Sequence, residues 1–192
     1  LNKSNNLNKP NKINSKLIEE IANVINKSKK PVFYVGQGCN DYVCDLRTLV
    51  NKSNIPITTT IHAMGLYDER KPLSLKFLGM HGSVYANKSI QESDCIIALG
   101  SRFDDRTTGN LELYAPNAKK AYDEKRGGII HCNINPNEIG NVVNTHYNVN
   151  SDCGEFIKLL TKKIEYKERT KWLKEISNWK NTYPFTYDNT NT

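Results

Sequence analysis

Three short segments of this 192-residue chain combine glycine with groups able to hold a polyanion or a polyol. The first is Gly36-Gln37-Gly38, directly after an apolar run at 31–35 (PVFYV). Bare glycine backbone there admits the close approach of a phosphate or an aromatic ring. The dinucleotide pattern G-x-G-x-x-G is not completed, because Asp41 stands where its third glycine would be, and an ordinary turn explains the pair equally well. The second is Gly100-Ser101-Arg102-Phe103-Asp104-Asp105-Arg106, after the run DCIIAL at 94–99. Arg102 can hold a phosphate or ribityl oxygen, and Asp104 or Asp105 can accept from hydroxyls. The competing view is a mutual ion-pair cluster at the surface.

The third segment is LGMHGSVYAN (78–87), where glycines flank Met80 and His81 ahead of a helical pattern with Val84, Ala86 and Ile90. At that helix start, Gly82 and Ser83 would offer free N–H groups to a pyrophosphate. His81 reads equally as a hydrogen-bonded loop residue. Further on, GIIHCNI (128–134) ends near the point where an acid commonly reads a ribose. The residue there is Asn133; Glu138 is the nearest acid, and Asp152 follows the next candidate strand. Several phosphate-sized sites in succession suit an extended dinucleotide, FAD above all, better than a small metabolite.

Such segments act together only if one scaffold aligns them. Short apolar runs at 31–35, 56–61, 94–99 and 128–134, with a weaker one at 147–149, read as strands. Between them lie helical stretches, among them Leu17 to Ile25, capped by Ser15, and Val43 to Val50. The alternation predicts βαβ units: a Rossmann-like, doubly wound α/β fold whose parallel sheet is covered by helices on both faces. In such sheets ligands bind beyond the carboxyl ends of the strands, where all of these segments fall. A closing helix is expected after Cys153. A separate amphipathic stretch carrying Trp172, Leu173, Ile176 and Trp179 leads into, or packs on, protein outside the domain. The expected organisation is an Asn/Lys-rich linker at 1–14, a nucleotide-binding domain at 15–165 and a linker helix at 166–192, with a frayed end over 188–192.

Composition narrows the partners. The net charge of +7 is concentrated at one end: residues 1–30 hold seven Lys and two Glu, or +5, leaving +2 for the other 162 residues. Nucleic-acid binding therefore loses its main support. No apolar run approaches a membrane span and no signal peptide opens the chain. Five cysteines, odd in number and without C-x-x-C pairing, argue against a disulfide framework or a metal cluster. The 25 Asn, and four Asn-Lys-Ser sequons, read as compositional drift.

Taken together, PITTTIHAMGLYD (56–68), LGMHGSVYAN (78–87), GSRFDDRTTGNL (100–111) and GGIIHCNINPNEI (127–139) resemble the acetohydroxyacid (acetolactate) synthase family. The resemblance runs over about residues 28–184, and the insertion KKAYDEKRGGIIH (119–131) is similar to the fungal version. It implies the middle domain of a thiamine-diphosphate enzyme, binding FAD in a mainly structural role. Carried over position by position, Gly36, Gln37, Gly38, Thr60, Ile61 and His62 would line the flavin. His81, Gly82, Gly100, Ser101, Arg102, Asp104 and Arg106 would contact the cofactor or its surroundings, and Asn133 to Asp152 would surround the adenosine. Met80, Asp105 and Arg106 match positions near the substrate channel.

Two departures stand out: Asn133 replaces the usual acid, and Ser151 replaces the glycine before Asp152. The sequence has no Gly-Asp-Gly with which to hold a magnesium-diphosphate, so thiamine diphosphate, Mg²⁺ and catalysis belong to other domains of the parent chain. The resemblance further implies a homo-oligomer, a regulatory subunit and a mitochondrial location. The alternatives are the middle domain of another thiamine enzyme, or a stand-alone nucleotide-binding module.

Overall fold

A strand buried on both faces needs apolar side chains at every position, whereas a half-exposed one alternates. Residues 31–35 and 95–99 meet the first condition, 128–133 meets it apart from Gly128, His131 and Asn133, and in the computed structural model, which describes residues 13–186, the three form its buried central strands. In chain order the elements are α1 (Ser15–Lys27), β1 (Pro31–Val35), α2 (Val43–Ser53), β2 (Ile57–Thr59), β3 (Ser74–Phe77), α3 (Val84–Glu92) and β4 (Cys95–Leu99). There follow α4 (Asp105–Thr108), α5 (Pro116–Asp123), β5 (Gly128–Asn133), β6 (Tyr147–Asn150), α6 (Cys153–Lys163) and α7 (Thr170–Thr182). The six strands make one sheet in the order β3-β2-β1-β4-β5-β6, parallel throughout. This is the doubly wound, Rossmann-like α/β arrangement expected from the alternation.

Alternating side chains feed two cores. Phe33, Val35, Ile97, Leu99, Ile130 and Cys132 point to one face, where α1, α2 and α6 cover them. Val32, Tyr34, Ile96, Ala98 and Ile129 point to the other, under α3, α5 and α7. Asp94 ties the start of β4 to the entry of β1: its two carboxylate oxygens accept from the Lys29 and Lys30 N–H groups, each at 2.8 Å. Arg126 approaches the same carboxylate at 3.4 Å.

Three expectations need correction. The cap of α1 is Asn14, whose side chain accepts from the Lys16 N–H at 2.9 Å; Ser15 is already helical. A sixth strand, β3, escaped the pattern because it is a four-residue edge strand, with Lys76 in a left-handed conformation (φ +61°) beside a register shift. Third, the tryptophans of α7 find their partners within the fold. Trp172 is 2% exposed and donates from its indole N–H to the Pro31 carbonyl at 3.1 Å, while Trp179 packs edge-on against it. Lys180 then pins the helix end to β3 by donating to the Pro72 and Ser74 carbonyls, both at 2.6 Å. Of the linker proposed at 1–14 only Ile13 and Asn14 are described, and the end proposed to fray lies outside the described residues.

Candidate functional site

The strand order reverses between β1 and β4, since β1 continues to β2 on one side while β4 continues to β5 on the other. The loops leaving the two strands must diverge there, and a crevice opens between them. It encloses about 560 Å³, within the range of about 300–1,000 Å³ usual for cofactor clefts. Its walls include Gly36, Gln37, Gly38, Thr60, His62, Gly100, Ser101, Arg102, Asp104, Asn133 and Asp152. Most of the candidates, from five separate segments, thus meet in one place.

The glycines serve a purpose the sequence did not disclose. Gly36 and Gly38 cross the loop after β4 with backbone against backbone. The Gly36 N–H donates to the Leu99 carbonyl at 2.8 Å, and the Gly38 N–H to Gly100 at 3.2 Å. A Cβ on Gly38 would lie 2.8 Å from the Gly100 Cα, and one on Gly100 would lie 2.7 Å from the Gly38 Cα. Gly100 also has φ +59°, a conformation that costs side-chain-bearing residues about 1–2 kcal/mol. These glycines let two loops touch, and the contact forms the crevice floor. The N–H groups of Gln37, Ser101 and Arg102 have no hydrogen-bond partner among the described residues. Unspent backbone donors beside a guanidinium are what a phosphate requires.

The loop after β4 is anchored from behind. The Ser101 carbonyl accepts from Asn133 Nδ2 at 3.0 Å and lies 2.9 Å from His131 Nε2, which donates to it as the N–H tautomer. Burial pushes the His131 pKa down, in keeping with a neutral ring whose Nδ1 is buried without a partner. Phe103 follows, 1% exposed yet at φ +57°. Tyr34, Tyr114 and His131 surround its ring at centroid distances of 5.3, 6.0 and 5.0 Å. That aromatic box holds the strained residue in place. Arg102 is left exposed, 3.6 Å from Asp104.

Two further candidates are partly spent on structure. Asn133 uses its amide nitrogen on Ser101 and its amide oxygen on the Asn135 N–H at 3.0 Å. Asp152 caps α6, accepting from Gly154 at 2.8 Å and Glu155 at 3.2 Å, while its other oxygen accepts from the Tyr42 hydroxyl at 2.6 Å. The carboxylate beside it pushes the Tyr42 phenol up to about 12. Asp41, Tyr42, Ile134, Asn135, Glu138 and Cys153 complete the walls. No spacing rule marks Tyr42 or Cys153; both arrive through the fold, one from the 3-10 turn after β1 and the other from the start of α6.

The remaining candidates lie elsewhere. Gly82 and Ser83 do not offer free N–H groups: Gly82 donates to the Gly79 carbonyl at 2.9 Å and Ser83 to Phe77 at 3.1 Å. A tight turn ahead of α3 consumes them, and Gly82 is glycine because a Cβ would strike the Phe77 carbonyl. Ser83 is instead the cap of α3 through its hydroxyl, 3.1 Å from the Ala86 N–H. Neither His81 nor Gly82 reaches the crevice, and Ile61 is 63% exposed at its rim. Met80, Asp105 and Arg106 line a separate hollow of about 270 Å³ with Asn87, Gln91 and Tyr114.

A doubly wound parallel sheet with a crevice at its strand-order reversal defines a Rossmann-like α/β domain. The chain belongs to the thiamine pyrophosphate enzyme central-domain family, whose model matches residues 18–160. It is 47% identical to a mitochondrial acetolactate synthase of Schizosaccharomyces pombe over 88% of this chain and 26% of that protein. Identity is 43% with the mitochondrial acetolactate synthase catalytic subunit of Saccharomyces cerevisiae, over 88% of this chain and 25% of that one. With a chloroplastic acetolactate synthase of Zea mays it is 35%, over 92% and 27%. The chain therefore spans about a quarter of the length of these relatives.

Proposed function

We propose that this chain is the middle, FAD-holding domain of an acetolactate synthase catalytic subunit. The parent transferase would condense two pyruvates, or pyruvate and 2-oxobutanoate, with loss of CO₂, the first common step of branched-chain amino-acid synthesis. The crossing glycine loops at the strand-order reversal, with three unspent N–H groups beside Arg102, carry the reading. They suit a pyrophosphate, with Thr60 and His62 toward the flavin and Asn133 and Glu138 toward the adenosine. The carboxylates of Asp41 and Glu138, with that of Asp104 beside Arg102, suit the hydroxyls of a ribityl chain and a ribose.

In this reading the flavin is structural and contributes no net redox chemistry. Thiamine diphosphate and Mg²⁺ are held by other domains, between partner subunits of a homo-oligomer with a regulatory subunit, in mitochondria. Ile61, exposed at the rim, and His81, exposed outside the crevice, meet the cofactor only when neighbouring domains close over it. Met80, Asp105 and Arg106 border the substrate's path.

Two measurements test this. FAD titrated into the 192-residue chain should quench flavin fluorescence and saturate. A chimera in which this chain replaces the middle domain of the S. pombe enzyme should form acetolactate from pyruvate when supplied with FAD, thiamine diphosphate and Mg²⁺. A folded chain that ignores FAD, together with an inert chimera, would overturn the assignment.

A further inference from the structure

Aromatic rings kept only for packing turn inward, as Tyr34 and Tyr114 do at 0% and 1% exposure. Tyr42 does not. It closes the 3-10 turn after β1, stays half-buried, and forms part of the crevice wall. Two contacts fix it there. Its hydroxyl donates to Asp152 Oδ2 at 2.6 Å, and its ring lies against the backbone of Gly154, where an added Cβ would overlap it. Asp152 follows β6, so this bond draws Tyr42 across to the β5–β6 side of the crevice. Thr60 and His62 follow β2, on the opposite side.

The Asp152 carboxylate is committed on both oxygens, with Oδ1 accepting from the Gly154 and Glu155 N–H groups and Oδ2 from Tyr42. An acid spent in this way holds a neighbour in place and has little left for a ligand. What it holds is an aromatic ring in a cleft wall. Ile134, from the loop after β5 and 57% exposed, adds apolar surface to the same cleft, and Glu138 adds a carboxylate.

We infer that Tyr42 is the platform for the purine base of a bound nucleotide, with Asp152 as its positioning residue, and that it makes the crevice select FAD over FMN. The inference takes its ligand from the proposed FAD reading. A pyrophosphate at the unspent N–H groups of Gln37, Ser101 and Arg102 sends one half of the dinucleotide toward β2 and the other toward β6. The β6 side offers what an adenosine needs: a ring face for the base, and an acid for the ribose hydroxyls.

ADP and FMN separate the two halves of FAD. Each, and FAD itself, would be titrated by calorimetry into the 192-residue wild type, Tyr42→Leu and Tyr42→Phe, with circular dichroism to check folding. Tyr42→Leu should bind ADP and FAD about tenfold more weakly, the loss expected when a base loses its aromatic partner, and FMN as before. Tyr42→Phe keeps the ring but not its bond to Asp152, and should lose about threefold. Nitration of Tyr42 by tetranitromethane, mapped by mass, gives a check that needs no variant: ADP should slow it and FMN should not.

Unchanged ADP affinity in Tyr42→Leu, equal losses for ADP and FMN, or a loss confined to FMN would overturn the inference. So would a Tyr42→Phe as weak as Tyr42→Leu, nitration indifferent to ADP, or a wild type that ignores ADP. A wild type that binds ADP through Tyr42 yet ignores FMN and FAD would support the base platform and count against the flavin assignment alone.

Discussion

The loops at the strand-order reversal and the loop before α3 look alike as text. Both set glycines two or three residues apart beside a histidine or an arginine, and both precede a helical turn. In the fold they differ in what they leave over. Ahead of α3, the N–H groups of Gly79, Met80, Gly82 and Ser83 all go to acceptors within the domain, and only His81 in that loop keeps its own among the described residues. At the reversal, Gly36 and Gly38 spend theirs on the partner loop, while Gln37, Ser101 and Arg102 keep theirs. In both places an added Cβ would strike neighbouring backbone. A glycine motif reports that two backbones pass closely, and the neighbours decide whether a site results.

The sharpest way to break this contrast is to add a Cβ to each loop. Gly100→Ala combines a disfavoured φ with overlap against Gly38. It should cost about 3–4 kcal/mol in urea unfolding and abolish FAD binding, since the crossing that shapes the floor cannot form. Gly82→Ala, with a Cβ 2.7 Å from the Leu78 carbonyl carbon, should cost about 2–3 kcal/mol but leave the FAD affinity of the folded protein unchanged. Equal losses of FAD affinity in the two variants would show that the α3 loop binds the cofactor after all.

Much of the scaffold could be read from residue types. Continuous burial wrote β1 and β4 as unbroken apolar runs and β5 as one interrupted by the buried polar His131, and Leu17, Ile18, Ile21 and Ile25 announced α1. β3 was hidden because an edge strand needs neither continuity nor alternation, and its residue Lys76 is bent out of the extended region. At the site, the segments GQG and GSRFDDR were legible because glycine and paired charges are costly elsewhere. Asp152 was legible as a conspicuous acid, but its work as a cap depends on geometry. Tyr42 and Cys153 carried no signal, since only the crossing of loops places them at the wall. The Trp172/Trp179 face was correctly seen as needing a partner, and the partner is the domain's own second core.

Behind the crevice, His131 links stability to pH. Its folded pKa lies below the ordinary histidine value because burial disfavours the charged ring. Between that lowered value and the unfolded pKa of about 6.5, the unfolded chain binds more protons, so stability falls as pH falls through this window. Above about 6.5 the penalty is absent. The half-buried His146, also lowered by desolvation, adds to it in the same direction. Urea midpoints measured between pH 7.5 and 5.5 should drop in the wild type and drop less in His131→Gln. An identical slope in the variant would place the pH dependence elsewhere.

The smallest expected effect on stability, and the most informative for the site, belongs to Arg102. Its side chain is 64% exposed and its contact with Asp104 is 3.6 Å, an arrangement worth at most about 1 kcal/mol and often nothing. Arg102→Ala should therefore unfold within about 0.5 kcal/mol of the wild type. If the guanidinium meets the pyrophosphate, the same change should weaken FAD binding about tenfold, because a charge-assisted bond is worth about 1.5–3 kcal/mol in favourable geometry. Added salt should narrow that gap, as screening weakens an exposed charge. Riboflavin, which lacks phosphate, should bind the two proteins alike. A variant that loses riboflavin and FAD in equal measure would make Arg102 a support of the loop rather than a ligand for the phosphates. The crevice would then rely on backbone N–H groups alone, and the contrast with the α3 loop would rest entirely on which of those groups each turn leaves unspent.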